Sequence, residues 1–257
     1  MKATLTVLGS GTSMGVPTIG CDCAVCHSAD PRDKRTRPSV LVEYNGRSVL
    51  IDTTPDFREQ AIREKIRSLD AVLYTHTHAD HLLGIDDLRP LSFLHKPNRL
   101  PLYAHPDAAD FIRNMFSYIF DANYKFGGLP LVELRPINSS VELFGARFEP
   151  IMLIHGEAEI YGFRFGSAAY LTDHSDIPES SLAKLEGLDV LFLDALRYKP
   201  HPTHSTVENS LQTVERLKPR RAFFTHICHD LPHESTNASL PANVKLSYDG
   251  MKLEFEI

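Results

Sequence analysis

Residues 75–81 read Thr-His-Thr-His-Ala-Asp-His, which puts three imidazoles and a carboxylate within six residues. His76 and His78 alternate as they would at the end of an extended strand, so both can point the same way. Asp80 and His81 follow one turn later, where the chain can bend into a helix. Charged side chains this close would repel one another. Neutral imidazole with carboxylate is instead the donor set that Zn, Mn and Fe accept, so the spacing points to a dication among them. A solvated His-rich loop is the plain alternative, and chance matches to this pattern are rare.

A second cluster is Cys21-Asp-Cys23-Ala-Val-Cys26. Three thiolates in six residues can wrap one tetrahedral Zn²⁺ but need a fourth ligand, for which His27, Cys228 and His229 are candidates. His27 adjoins Cys26 and makes a poor fourth corner. His229 lies three residues after His226 and could face the other way to close the tetrahedron. A fully coordinated zinc has no open position and would be structural. The alternative is three thiols with no metal.

The elements that must position these groups are legible as apolar, β-branched stretches at 3–8, 39–43, 48–51, 71–75, 147–154, 160–166, 168–172, 189–193 and 221–225. Helical patterns fall at 55–67, 106–119, 178–186 and 205–217, the first three with a proline at the entry. Strand pairs and helices mixed in this way predict an α/β or α+β layered domain. Proline and glycine are scattered, so one domain over 1–257 is expected, without linker or repeat. Several ligand-type residues directly follow strands: Asp52, His76, His155, Asp173 and His226. Sheet enzymes gather their ligands at such ends. Asp52 is expected to accept an N–H from a ligand imidazole or from its own loop, or else to cap a helix.

Composition removes several function classes. Hydrophobic residues make up 42% and charged residues 23% of 257, which excludes a disordered chain. The net charge of −6 gives no broad electrostatic footprint for nucleic acid. No apolar run approaches the roughly 18 residues of a membrane span, and the N-terminus does not read as a signal peptide. Four cysteines, three of them crowded together, suit a metal and a reducing cytoplasm rather than a disulfide scaffold. The loop Gly9–Gly15 lacks the spacing of a nucleotide cradle. The stretch Phe111, Met115, Phe116, Tyr118, Ile119, Phe120, Tyr124, Phe126 reads as core or lid packing, or as a dimer face.

Together these features resemble the metallo-β-lactamase superfamily, whose motif is His-x-His-x-Asp-His. The resemblance covers nearly the whole chain: the GSGTSMGVP loop, the LIDTTPD segment, the His-rich loop, then His155 in LIHG, Asp173 in YLTD and His226 in FTH. It implies an αββα sandwich of two similar halves with two divalent ions (Mn, Zn, Fe or Ni) at the sheet edge. One ion would take His76, His78 and His155, the other Asp80, His81 and His226, and Asp173 would bridge them. With two dications, two carboxylates and a bridging hydroxide the site carries about +1, which suits a phosphodiester.

Cys-x-Cys-x-x-Cys with a late His-x-x-His is similar to the phosphodiesterase subgroup of the carbon–phosphorus lyase pathway, which opens a cyclic ribosyl phosphate. A pyrroloquinoline-quinone biosynthesis protein shares the pattern. His204 in HPTHSTVEN matches a histidine that contacts the substrate phosphate or protonates the leaving oxygen; it and Asp80 are the expected catalytic residues. The implied activity is hydrolysis of small-molecule phosphodiesters, cyclic ribosyl ones among the candidates, by a cytoplasmic enzyme, a homodimer being compatible. Three rivals stand beside it: a nuclease processing transfer-RNA 3′ ends, a mononuclear-iron sulfur dioxygenase, and a non-catalytic metal-binding accessory protein.

Overall fold

The computed structural model describes residues 1–121, 123–124 and 127–257, so Phe126 of the aromatic stretch lies outside the described residues. The first half of the chain supplies strands β1 (Lys2–Gly9), β2 (Ser39–Tyr44), β3 (Arg47–Ile51), β4 (Ala71–Leu73), β5 (Leu100–Ala104) and β6 (Val132–Pro136). Helices α1 (Phe57–Arg63), α2 (Ala79–Leu82), α3 (Arg89–Ser92), α4 (Pro106–Met115) and α5 (Ser117–Phe120) lie between them. The second half supplies β7 (Val141–Leu143), β8 (Ala146–His155), β9 (Ala158–Phe165), β10 (Ala168–Leu171), β11 (Val190–Asp194), β12 (Arg221–Thr225) and β13 (Val244–Leu246). Its helices are α6 (Glu179–Leu182), α7 (Val207–Leu217) and α8 (His233–Ser239), and β14 (Lys252–Glu256) returns to the first sheet.

The strands form two seven-stranded sheets, ordered β14-β1-β2-β3-β4-β5-β6 and β13-β12-β11-β10-β9-β8-β7. In each sheet one side is antiparallel and the other parallel: β14 through β3 against β3 through β6, and β7 through β10 against β10 through β13. The halves therefore share one plan, the αββα sandwich that the resemblance implies.

Period-two alternation explains the layers. In β2, Val40, Val42 and Tyr44 face the other sheet while Leu41 faces the helices. In β11, Val190 and Phe192 join the inter-sheet core while Leu191 and Leu193 pack under α6 and α7. Both faces being covered, such strands read as unbroken apolar runs. Asn209 N donates to the Thr206 side chain, which caps α7 at 3.1 Å.

The glycine loop after β1 is structural. A Cβ on Gly9 would collide with the Arg37 carbonyl oxygen, so no other residue fits there. The loop then holds the segment after β12: Ile227 N donates to Ser10 O at 2.9 Å and Thr12 N to Ile227 O at 3.2 Å. Of the aromatic stretch, Phe116 and Ile119 enter the core over the first sheet, whereas Phe111, Met115 and Tyr118 are exposed. No helix among the described residues is long and apolar enough to cross a membrane.

Candidate metal centre

Parallel strands deliver side chains at their C-terminal ends, and these sheets do so at adjoining edges. Asp52 follows β3, His76 and His78 follow β4, Asp173 follows β10 and His226 follows β12, while His155 closes β8. Asp52, Asp173 and His226 all have φ near +60° (66°, 55° and 57°), a left-handed turn that non-glycine residues adopt at a cost. The surroundings hold the first of these turns: Asp52 N donates to Leu73 O at 2.9 Å, and Thr53 N to His81 O at 2.8 Å.

Two donor groups result. His76, His78, His155 and Asp173 place one ligand atom each within 4.8 Å of one another, and so do Asp80, His81, Asp173 and His226. Asp173 belongs to both and turns a different oxygen to each. Its Oδ2 lies 3.8 Å from His76 Nε2, and its Oδ1 lies 3.2 Å from both His81 Nε2 and His226 Nε2. Asp80 Oδ2 approaches the same two nitrogens at 3.3 and 3.4 Å. All are buried except His78, which is not.

Two of the imidazoles are aimed by their other nitrogen. Asp52 Oδ2 accepts from His81 Nδ1 at 2.7 Å, and Asp52 also accepts from Thr75 N and Oγ1 at 2.8 Å. His155 Nδ1 donates to Thr203 O at 2.7 Å. These contacts fix the tautomers so that Nε2 faces the cluster. His76 Nε2 and His81 Nε2 are buried without a hydrogen-bond partner, although they point at carboxylates. Such orphaned acceptors are what a cation would satisfy, so the donor set fits divalent metals.

The electrostatics agree. Burial works against a charge on Asp173, yet the imidazoles of His226, His81 and His76 hold its carboxyl well below the usual range. Burial likewise opposes a charged His226, but Asp173, Asp80 and Asp194 push it up to about 9. Burial lowers His155 to about 4, which keeps that ring neutral, as a ligand must be. The cluster thus demands positive charge beside Asp80 and Asp173.

His204 stands beside this cluster, its ring 4.6 Å from His226 and 4.9 Å from His155. Its Nδ1 lies within hydrogen-bond distance of Asp194 Oδ2, at 2.7 Å. Asp194 is a candidate site residue that sequence reasoning misses. A signal exists, because Asp194 ends β11 in VLFLD as Asp52 and Asp173 follow their own strands. His201 packs 5.0 Å from His204 at a partly exposed position. His174 is buried, and neither of its ring nitrogens has a hydrogen-bond partner.

The second cluster also assembles. Cys21, Cys23 and Cys26 lie with Sγ at 3.2, 3.7 and 3.4 Å from His229 Nδ1, within the span one ion could bridge. Of the other two candidates, His27 turns to Asp22 at 3.3 Å, and Cys228 accepts from Asp230 N at 3.3 Å.

A family model described as beta-lactamase superfamily domain matches residues 47–227. The chain belongs to that superfamily. A crystal structure described as a new diphosphatase from the PhnP family superposes with a TM-score of 0.94 at 60% identity, covering 99% of this chain and 98% of that one. Within the superfamily the chain is thus one of the metallo-β-lactamase-fold hydrolases of the PhnP-like group. Zn²⁺-bound PqqB of Methylobacterium extorquens, 20% identical with a TM-score of 0.81 over 97% of this chain and 99% of its own, shares the fold. An octanoyltransferase of Porphyromonas gingivalis is 39% identical over 251 residues, 96% of this chain and 50% of that protein. A ribonuclease Z of Bradyrhizobium diazoefficiens is 28% identical over 145 residues, 54% of this chain and 47% of that protein. The chain spans about half the length of these curated relatives.

Proposed function

We propose that this chain hydrolyses small phosphodiesters at a site for two divalent cations. The observation that carries the reading is Asp173, whose two oxygens face two separate donor groups. His76, His78 and His155 would hold one ion, Asp80, His81 and His226 the other, with Asp173 shared between them. Divalent ions held there supply Lewis-acid activation of water and neutralise phosphoryl oxygens.

The remaining steps belong to the chain's own residues. Asp52 and Thr203 O keep His81 and His155 in register with the cluster. Asp194 holds Nδ1 of His204, leaving Nε2 as the position from which a proton reaches the leaving oxygen. Cys21, Cys23, Cys26 and His229 would hold one structural zinc, binding the 21–26 loop to the segment that bears His226. The substrate would be a small molecule rather than nucleic acid, as the net charge of −6 favours. Reduced thiols of the zinc site would suit the cytoplasm.

A second reading rests on the 60% identical diphosphatase: the leaving group is itself a phosphate. Metal-reconstituted protein should turn over bis(p-nitrophenyl) phosphate, and P1,P2-diphenyl diphosphate faster if the second reading is right. Asp80→Ala should lose one ion by metal analysis and at least about 100-fold in turnover, while keeping the cysteine-bound zinc. Full activity with one ion fewer would point to a mononuclear centre, and no turnover of either ester would remove the proposal.

A further inference from the structure

A cavity of about 350 Å³ opens beside His76, His78 and His155. Its walls come from two elements outside the donor groups. Helix α4 and its cap contribute Phe111 and His105, and the β8–β9 hairpin contributes Met152 and Tyr161. The His105 ring packs edge-on to Tyr161, with centroids 5.3 Å apart at 78°. Phe111, which lines this cavity, is 46% exposed. An aromatic face at the wall of a concave site offers a flat ligand a surface on which to stack. Tyr161 N donates to Thr75 O at 3.0 Å, which ties this wall to the stretch carrying His76.

The charges at the cavity are of one sign. Asp107 and Glu159 are exposed along its lining, and no Lys or Arg is among the described residues that line it. Beyond the ion that His76, His78 and His155 would hold, a phosphate or carboxylate would meet two carboxylates and no Lys or Arg there, whereas a flat uncharged π-system would meet aromatic faces and a thioether. His155 separates the cavity from His204, its ring being 4.9 Å from His78 on one side and 4.9 Å from His204 on the other. Neither His204 nor Asp194 lines the cavity.

We infer that this cavity is the subsite for the substituent that stays on phosphorus, and that it selects an uncharged, flat aromatic or heteroaromatic group. The inference rests on the phosphodiesterase reading for the placement of the phosphate at the metal centre. It names the class of substrate: a diester with a planar apolar group on the His78 side and its leaving oxygen on the His204 side. The product is then an aryl-type phosphate monoester.

Calorimetric titration of the manganese-loaded protein tests this without turnover. Phenyl phosphate should bind about tenfold more tightly than methyl phosphate, the gain expected for one stacked ring. Phe111→Ala should reduce that ratio to about twofold. The phenyl ester bearing a para-carboxylate should lose most of the advantage, and Asp107→Asn with Glu159→Gln should restore it. Equal affinities in the unaltered protein would overturn the inference, and so would a preference undiminished by Phe111→Ala. If the ring preference holds but neither bis(p-nitrophenyl) phosphate nor the diphosphate diester is hydrolysed, the catalytic reading fails and the subsite stands. Hydrolysis without ring preference would keep the catalytic reading and remove the subsite.

Discussion

Asp194 is fully buried at the end of β11, with one oxygen on His204. Burial raises its carboxyl well above the ordinary range, while burial and the charge of His226 lower His204 to about 4. Two such neighbours 2.7 Å apart share one proton, and it can move to a leaving oxygen through His204. Asp194 is then a positioning residue whose effect depends on the leaving group. Asp194→Asn should slow hydrolysis of a methyl alkyl phosphate about 100-fold, because an alkoxide needs the proton. It should leave the release of p-nitrophenolate nearly unchanged, because that group departs unaided. Metal content measured alongside should stay the same. An equal loss for both esters would reduce Asp194 to a structural part. The ligand-type residues are legible in the sequence because they cluster or directly follow strand patterns. Asp194 carries the same signal, since it directly follows the 189–193 pattern, but no ligand-type neighbour in the sequence sets it apart from an ordinary strand-end carboxylate.

At the scale of elements, the long apolar strands are legible and the short or edge strands are not. β5 carries Pro101, β6 ends in Pro136, and β13 has three residues, so none shows a strong strand pattern. β14 does alternate, with Phe255 in the core and charged neighbours outside, but five residues are too few to separate from a turn. The 106–119 helix breaks at Phe116, whose φ of −107° and ψ of 39° divide α4 from α5.

Helix α8 offers a test of packing. His233, its first residue, is 2% exposed, with its ring edge-on to Tyr248. Burial, then Arg32 and Arg35, lowers its pKa to about 4, and a charge at a helix N-terminus is disfavoured in the same direction. A folded-state pKa below the unfolded value of about 6.5 means that the unfolded chain binds the proton better. This contribution to stability is complete above pH 6.5 and is lost as pH falls towards 4. Between pH 7 and 5 it amounts to at most about 2 kcal/mol, less whatever solvent screening removes. Urea midpoints of His233→Gln should therefore fall less than those of the unaltered protein over that interval. Parallel curves would show that His233 titrates normally.

Across the whole molecule, the two sheets share one strand plan, yet the sequence shows no repeat of 20–50 residues. Sheet order depends on which positions are apolar and on where strands end, and very different residues meet both conditions. The halves meet at the donor groups. His76, His78, Asp80 and His81 come from the first, while His155, Asp173 and His226 come from the second. Each ion would therefore join one sheet to the other, and its binding energy would stabilise the fold. At a free concentration 100 times its dissociation constant an ion adds about 2.7 kcal/mol, or roughly 5–10 °C in Tm for a chain of this size. Scanning calorimetry of chelator-treated protein should thus show Tm rising with the logarithm of added Mn²⁺ or Zn²⁺. Asp80→Ala should show a smaller rise, because one inter-sheet ion is gone. A Tm indifferent to metal in the unaltered protein would mean that no ion spans the sheets. The orphaned nitrogens of His76 and His81 would then need another partner.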